Sequence, residues 1–188
     1  VLRTACADAV HWPDDTKVAV NLSPIQVMNK SLVPMVVSAL AATGLPATRL
    51  DIEITESVLM QNTDTTINAL HRLRELGVSI SMDDFGTGYS SLSCLHKFPF
   101  DKIKIDRSFI SGLPESADSI AIVRAVAGLA KNLNMITTAE GVETEQQLDQ
   151  IRMLGCTEMQ GYLFSRPCCA EDLLKLFPSR YEMRALSA

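Results

Sequence analysis

Apolar and polar residues alternate strictly in several short runs of this chain. In Leu50–Thr55 the leucine and both isoleucines share one face, while Asp51, Glu53 and Thr55 share the other. Val18–Leu22 and the runs 78–83 and 102–106 follow the same rule, and in 135–140 Ile136, Thr138 and Glu140 fall together. With 158–162 they make six predicted strands, because successive side chains of a strand point to opposite faces. Stretches of helical periodicity separate them: 24–43 before Gly44, 64–76 before Gly77, a short helix near 90–98, 117–134, 145–154 before Gly155, and a last one near 170–177. Another helical pattern, 1–12, precedes the first strand. Pro24 suits a first helical turn, and the glycines suit helix ends. Strands and helices that alternate through short loops predict an α/β fold, a parallel sheet with helical crossovers in one domain spanning residues 1–188.

The polar faces are unusual. A buried parallel strand ordinarily reads as a continuous apolar run, yet here one face carries Ala19 and Asn21, then Asp51 and Glu53, then Ser79, Ser81 and Asp83, then Lys102, Lys104 and Asp106. That face meets either water or the interior of a barrel. Helical crossovers favour a barrel, whose active sites gather at the C-terminal ends of the strands. Glu53, Glu56, Asp83, Asp84, Glu140 and Glu143 all lie at or just past those ends, with Asn21 and Gln160 in equivalent places.

Composition narrows the reading. The 188 residues are 47% hydrophobic and 21% charged, with a formal net charge of −5. No global basic field exists for a nucleic acid polymer, and no apolar run approaches the roughly 20 residues of a membrane helix. The 5 cysteines are scattered, without paired CxxC spacing, and fit reduced thiols better than disulfides or a zinc site. His11, His71 and His96 fall in helical patterns away from the strand ends. The length suffices for one domain but falls short of the roughly 250 residues of a (β/α)8 barrel.

Carboxylates gathered at one rim repel one another, and a divalent cation is the usual compensation. Ligands that are all oxygen indicate a hard ion, Mg²⁺ or Mn²⁺. The adjacent pair Asp83-Asp84 suits two ions, one carboxylate bridging and its neighbour serving the second. Singly, each acid is equally a solvated loop residue or a helix cap, and Glu143-Thr144 also fits the start of the next helix.

Six ordered motifs carry a resemblance: Asn21-Leu22-Ser23, Glu53-Ile54-Thr55-Glu56, the run from Asp83-Asp84-Phe85-Gly86 to Leu92, Lys104-Ile105-Asp106, Ala139-Glu140-Gly141-Val142-Glu143, and the run from Gln160-Gly161-Tyr162 to Pro167. Together they resemble the EAL family of bacterial cyclic-di-GMP phosphodiesterases. The resemblance implies a modified (β/α)8 TIM-like barrel with one antiparallel strand, usually a homodimer, hydrolysing cyclic di-GMP to linear pGpG with two Mg²⁺ or Mn²⁺ ions. By that resemblance Asn21, Glu53 and Asp83 hold the first ion, and Asp83 with Asp84 holds the second. Lys104 would bind the attacking water, Glu140 would accept its proton or position it, and Gln160 and Glu143 would act from an outer shell. Glu56 would brace the loop 84–89, similar to the segment that couples dimer contact to activity. Ser23, Arg166 and Pro167 are candidate substrate contacts.

One departure stands out. The family's Glu-Ala-Leu motif lies on an early strand, ahead of the helix that 1–12 resembles, and supplies a metal-ligating Glu and a phosphate-binding Arg. Neither is in these 188 residues, so the resemblance implies an N-terminally incomplete domain with the first two strands missing. It also implies a cytoplasmic bacterial setting, with sensory or diguanylate-cyclase-like domains upstream. A cyclic-di-GMP receptor that binds without cutting is the alternative.

Overall fold

The computed structural model describes residues 1–13, 15–56, 58, 64–86, 95 and 97–177. Its strands are β1 (Val18–Leu22), β2 (Leu50–Thr55), β3 (Ser79–Phe85), β4 (Lys102–Ile105), β5 (Ile136–Glu140) and β6 (Glu158–Gln160). The helices are α1 (Leu2–Ala9), α2 (Pro24–Val27), α3 (Leu32–Thr43), α4 (Asp64–Glu75), α5 (Arg107–Ile110), α6 (Ala117–Asn132), α7 (Glu145–Met153) and α8 (Ala170–Leu173). All six strands form one sheet in sequence order, and every neighbouring pair is parallel. The antiparallel strand that the resemblance implies is not among the described residues.

Right-handed crossovers in a sequentially ordered parallel sheet carry all the connecting helices to one face. There Val20, Ile52, Ile54, Ile80, Met82, Ile103, Ile105 and Ala139 are buried in one core with Val36, Leu70, Leu73, Val123, Ala130 and Ile151 of the helices. No described helix covers the opposite face, yet Asp51, Ser81, Lys104 and Thr138 are only 2%, 0%, 4% and 5% exposed. Curling of the sheet around its own polar face accounts for that burial. The fold is thus an arc of a TIM-like barrel, with polar side chains inside it.

The expected helix 24–43 is two helices. Ser23 caps α2 through a reciprocal capping box with Gln26, and Pro24 occupies its first turn. Pro34 has no N–H to donate to the carbonyl of residue 30, so a helix cannot run through residues 28–34; it is tolerated in the first turn of α3. Asn29 fills the break, its side chain accepting from the N–H and hydroxyl of Ser31. The first helix covers only Leu2–Ala9 of the expected 1–12. The last ends at Leu173 rather than 177, with Leu174 and Leu176 beyond it 47% and 51% exposed. Most of the helix expected near 90–98 lies outside the described residues. Among the described cysteines Cys6 and Cys156 are buried, Cys168 and Cys169 are exposed, and all are free. No described helix is long and apolar enough to cross a membrane.

Arg49, 7% exposed at the entry to β2, ties α1 to the sheet. Its guanidinium donates to the carbonyls of Thr16 at 2.8 Å, Ala9 at 2.7 Å and Trp12 at 3.4 Å. These carbonyls end α1 or follow it, where the helix leaves acceptors unpaired. Replacement by methionine keeps the stem and removes the donors. Arg49→Met is expected to lower the unfolding free energy by about 2–3 kcal/mol, the range for hydrogen bonds from a charged donor. A urea midpoint equal to that of the parent chain would contradict it.

Candidate active site

The polar face converges on Lys104. Its ammonium rises from β4 and lies 2.9 Å from Glu53 Oε1, 2.9 Å from Asp83 Oδ1 and 2.8 Å from Glu140 Oε1. One cation thus joins β2, β3, β4 and β5. Asn21 on β1 donates through Nδ2 to Glu53 Oε2 at 3.0 Å, which extends the constellation to a fifth strand. Of the sequence candidates, Asn21, Glu53, Asp83, Asp84, Lys104 and Glu140 are brought together.

A distortion of β3 makes the cluster possible. Met82 pairs with Ile103, but Phe85 pairs with Ile105, so Asp83 and Asp84 together stand opposite one residue. This is a β-bulge, and Asp84 takes the positive φ of 55° that absorbs the extra residue. Phe85 returns to the buried apolar face with Met82, leaving both aspartates to the polar face. Carboxylate oxygens of Asp83, Asp84 and Glu140 consequently lie within 4.8 Å of one another. The expected strand ended at Asp83; the missed signal is the spacing of Met82 and Phe85, three apart where a regular strand needs an even number.

Two loops past β5 and β6 interlock at the rim. Val142 N–H donates to Gln160 O at 3.0 Å, and Leu163 N–H donates to Val142 O at 3.0 Å. Gly161 lies so close that a Cβ there would collide with the backbone nitrogen and oxygen of Val142. Glu143 reaches Arg107 Nη2 at 3.2 Å, and Thr144 rather than Glu143 caps α7. Asp106 ends outside the strand, as the cap of α5, accepting from Ser108. Ser23 is occupied in capping α2. Arg166 stacks over the Tyr162 ring at 4.7 Å, and with Gln160 and Pro167 it lines a cavity of about 510 Å³. Glu56 is buried; residues 87–89 of the loop 84–89 that it was expected to brace lie outside the described residues.

Charge is unbalanced here: Glu53, Asp83, Asp84 and Glu140 face a single ammonium. Burial, reinforced by neighbouring carboxylates, raises Glu53, Asp84 and Glu140 above the ordinary carboxylate range, although Lys104 pulls each back. Burial alone would lower Lys104, but its bonds to Glu140, Glu53 and Asp83 outweigh that and lift it above its usual value. Lys104 therefore stays charged at neutral pH. Asp83 Oδ1 is buried and has Lys104 nearby but no well-directed hydrogen bond. Excess negative charge, such an oxygen and an all-oxygen donor set fit a hard divalent cation.

A model of the EAL domain family matches residues 1–167. The chain is 49% identical over 184 residues to the cyclic di-GMP phosphodiesterase NbdA of Pseudomonas aeruginosa, covering 94% of this chain and 24% of that protein. It resembles the solved MucR phosphodiesterase from the same organism, in complex with c-di-GMP, at a TM-score of 0.87 and 44% identity, over 92% of this chain and 72% of that one. The manganese and cyclic-di-GMP complex of BlrP1 from Klebsiella pneumoniae matches at a TM-score of 0.82 and 35% identity, over 89% and 43% of the two chains. The chain spans 22%, 21% and 25% of the length of three curated relatives it matches.

Carboxylates with raised pKa bind protons more readily folded than unfolded, so their contribution to stability falls as pH rises through the raised values. Without metal, Glu140→Gln is expected to raise the melting temperature at pH 7.5 by about 2–4 °C, what about 1 kcal/mol produces in a chain of this size. Near pH 4, where the carboxyl is protonated in the parent chain, the gain should vanish. Melting curves at both pH values check this; a loss at pH 7.5 would mean that pairing with Lys104 outweighs the cost of burial.

Proposed function

Because this chain belongs to the EAL domain family, we propose that it hydrolyses cyclic di-GMP to linear pGpG, with Asn21, Glu53, Asp83 and Asp84 holding two Mg²⁺ or Mn²⁺ ions. The observation that carries the reading is the convergence of Asp83, Asp84 and Glu140 carboxylates within 4.8 Å beside buried Lys104. Manganese in the BlrP1 complex supports the choice of ion.

Such ions supply Lewis-acid polarisation of a phosphoryl oxygen and a lowered pKa for the attacking water. The residues do the rest. Glu140, held by Lys104 at 2.8 Å, accepts the proton that the water gives up as its oxygen bonds to phosphorus. Lys104 stays charged and donates toward the same region, stabilising negative charge as it develops on the phosphoryl group. The bond from phosphorus to the 3′-oxygen breaks, that oxygen takes a proton, and the phosphate remains on the 5′ side, as the product pGpG requires. Gln160 and Glu143 orient groups at the rim from outside the ion-binding set, and Glu56 braces the loop after Asp84. Arg166 and Pro167 contact the substrate beyond the scissile phosphate, and Ser23 does so through the hydroxyl hydrogen that capping α2 leaves free. The domain works in the cytoplasm as a homodimeric module of a larger protein with a signalling partner upstream, in keeping with the length of its relatives.

Chromatography of cyclic di-GMP incubated with Mn²⁺ tests the activity. A chain extended upstream by a Glu-Ala-Leu segment is expected to release pGpG, the 188 residues alone to release far less, and Lys104→Met in the extended chain to lose about 10²–10³-fold in kcat. Ligand bound by the extended chain without product would make the domain a receptor.

A further inference from the structure

The strand residues two positions before the site are polar as well. Asp51 precedes Glu53, Ser81 precedes Asp83, Lys102 precedes Lys104, Thr138 precedes Glu140 and Glu158 precedes Gln160. Period two puts each on the same face as its successor, about 6.6 Å deeper along the strand. They touch in one continuous network. Ser81 Oγ donates to Asp51 Oδ1 at 2.7 Å, and Asp51 Oδ2 lies 3.3 Å from Lys102 Nζ. Lys102 Nζ lies 2.6 Å from Glu158 Oε2, to which Thr138 Oγ1 also donates at 2.9 Å.

This floor crosses five strands beneath the rim, and two acids against one lysine leave it negative. Holding strands together does not require charge, since apolar residues of similar volume do so as well or better. Its charge lies one layer, about 6.6 Å along the strand, below the rim, close enough to act on an ion held there. We propose that the floor sets the divalent-cation affinity of the rim through its charge, Asp51 strengthening binding and Lys102 moderating it. Both act through the rim rather than by touching the ion. The inference rests on the metal reading of the rim proposed above.

Calorimetric titration of the 188-residue chain with Mn²⁺ alone, read beside its melting temperature, separates charge from architecture. Asp51→Asn, nearly isosteric, is expected to weaken Mn²⁺ binding about tenfold, as loss of one negative charge a layer away requires. Asp51→Asn combined with Lys102→Met restores the charge sum and should return affinity to within about threefold of the parent. Ser81→Ala removes a hydrogen bond without changing charge and should stay within about twofold. A double variant that binds as weakly as Asp51→Asn, or Ser81→Ala weakening binding as much, would overturn the inference while leaving the metal site standing. If the double variant does not fold, Glu158→Gln decides between the two: about threefold weaker binding supports a charge effect, and unchanged binding overturns it. No Mn²⁺ binding either by the parent chain or by the chain extended upstream with a Glu-Ala-Leu segment would overturn the metal reading itself.

Discussion

A single buried ammonium makes this sheet possible. Four carboxylates stand at neighbouring strand ends, on the concave face of a curled sheet, where water screens them poorly. Lys104 reaches three of them within 2.9 Å. Its contacts join β2, β3 and β5 to β4, so the ion pairs that relieve repulsion also hold the curvature. Breaking such a hub is costlier than its net worth suggests, because the partners would remain buried and charged. The same hub leaves negative charge uncompensated, the remainder that the proposed cations would balance. Stability and chemistry draw on one set of groups.

The positions around the hub are fixed by backbone features of modest size. The bulge at Asp83–Asp84 turns two sequential residues toward one face, which a regular strand cannot do. Gly161 lets the loop after β6 press on Val142, so Gln160 and Glu140 belong to one rigid corner. Asp106 at the head of α5 and Thr144 at the head of α7 satisfy orphan N–H groups beside the site, and Asp106 also adds to the field at Asp84.

Much of this was legible in the sequence because alternation is a strong signal. The polar face of each strand could be read directly, and Asn21, Glu53, Asp83, Lys104 and Glu140 follow from it once the strands are parallel and curled; Asp84, next to Asp83, does not, and joins them only through the bulge. What escaped were features set by single residues acting on backbone geometry. Pro34 divides a stretch whose apolar periodicity is otherwise continuous. Asp106 alternates like a strand residue but spends its side chain on a helix cap. The bulge leaves only a three-residue spacing between Met82 and Phe85. The floor residues Asp51, Lys102 and Glu158 were visible as polar positions, but their pairing depends on strand order and curvature, which no local pattern encodes.

The bulge also separates the fate of the fold from that of the chemistry. Asp84 is one residue more than its strand needs, and Phe85 already packs with the core beyond it. Loss of a single codon there would bring β3 back into simple step with β4 and relieve a positive φ. The shortened sheet would keep its apolar face and its lysine, yet present one carboxylate where two now converge. A lineage could shed this arrangement by one in-frame deletion and keep a well-folded domain, so intact secondary structure in a descendant would be poor testimony that its converging carboxylates survive.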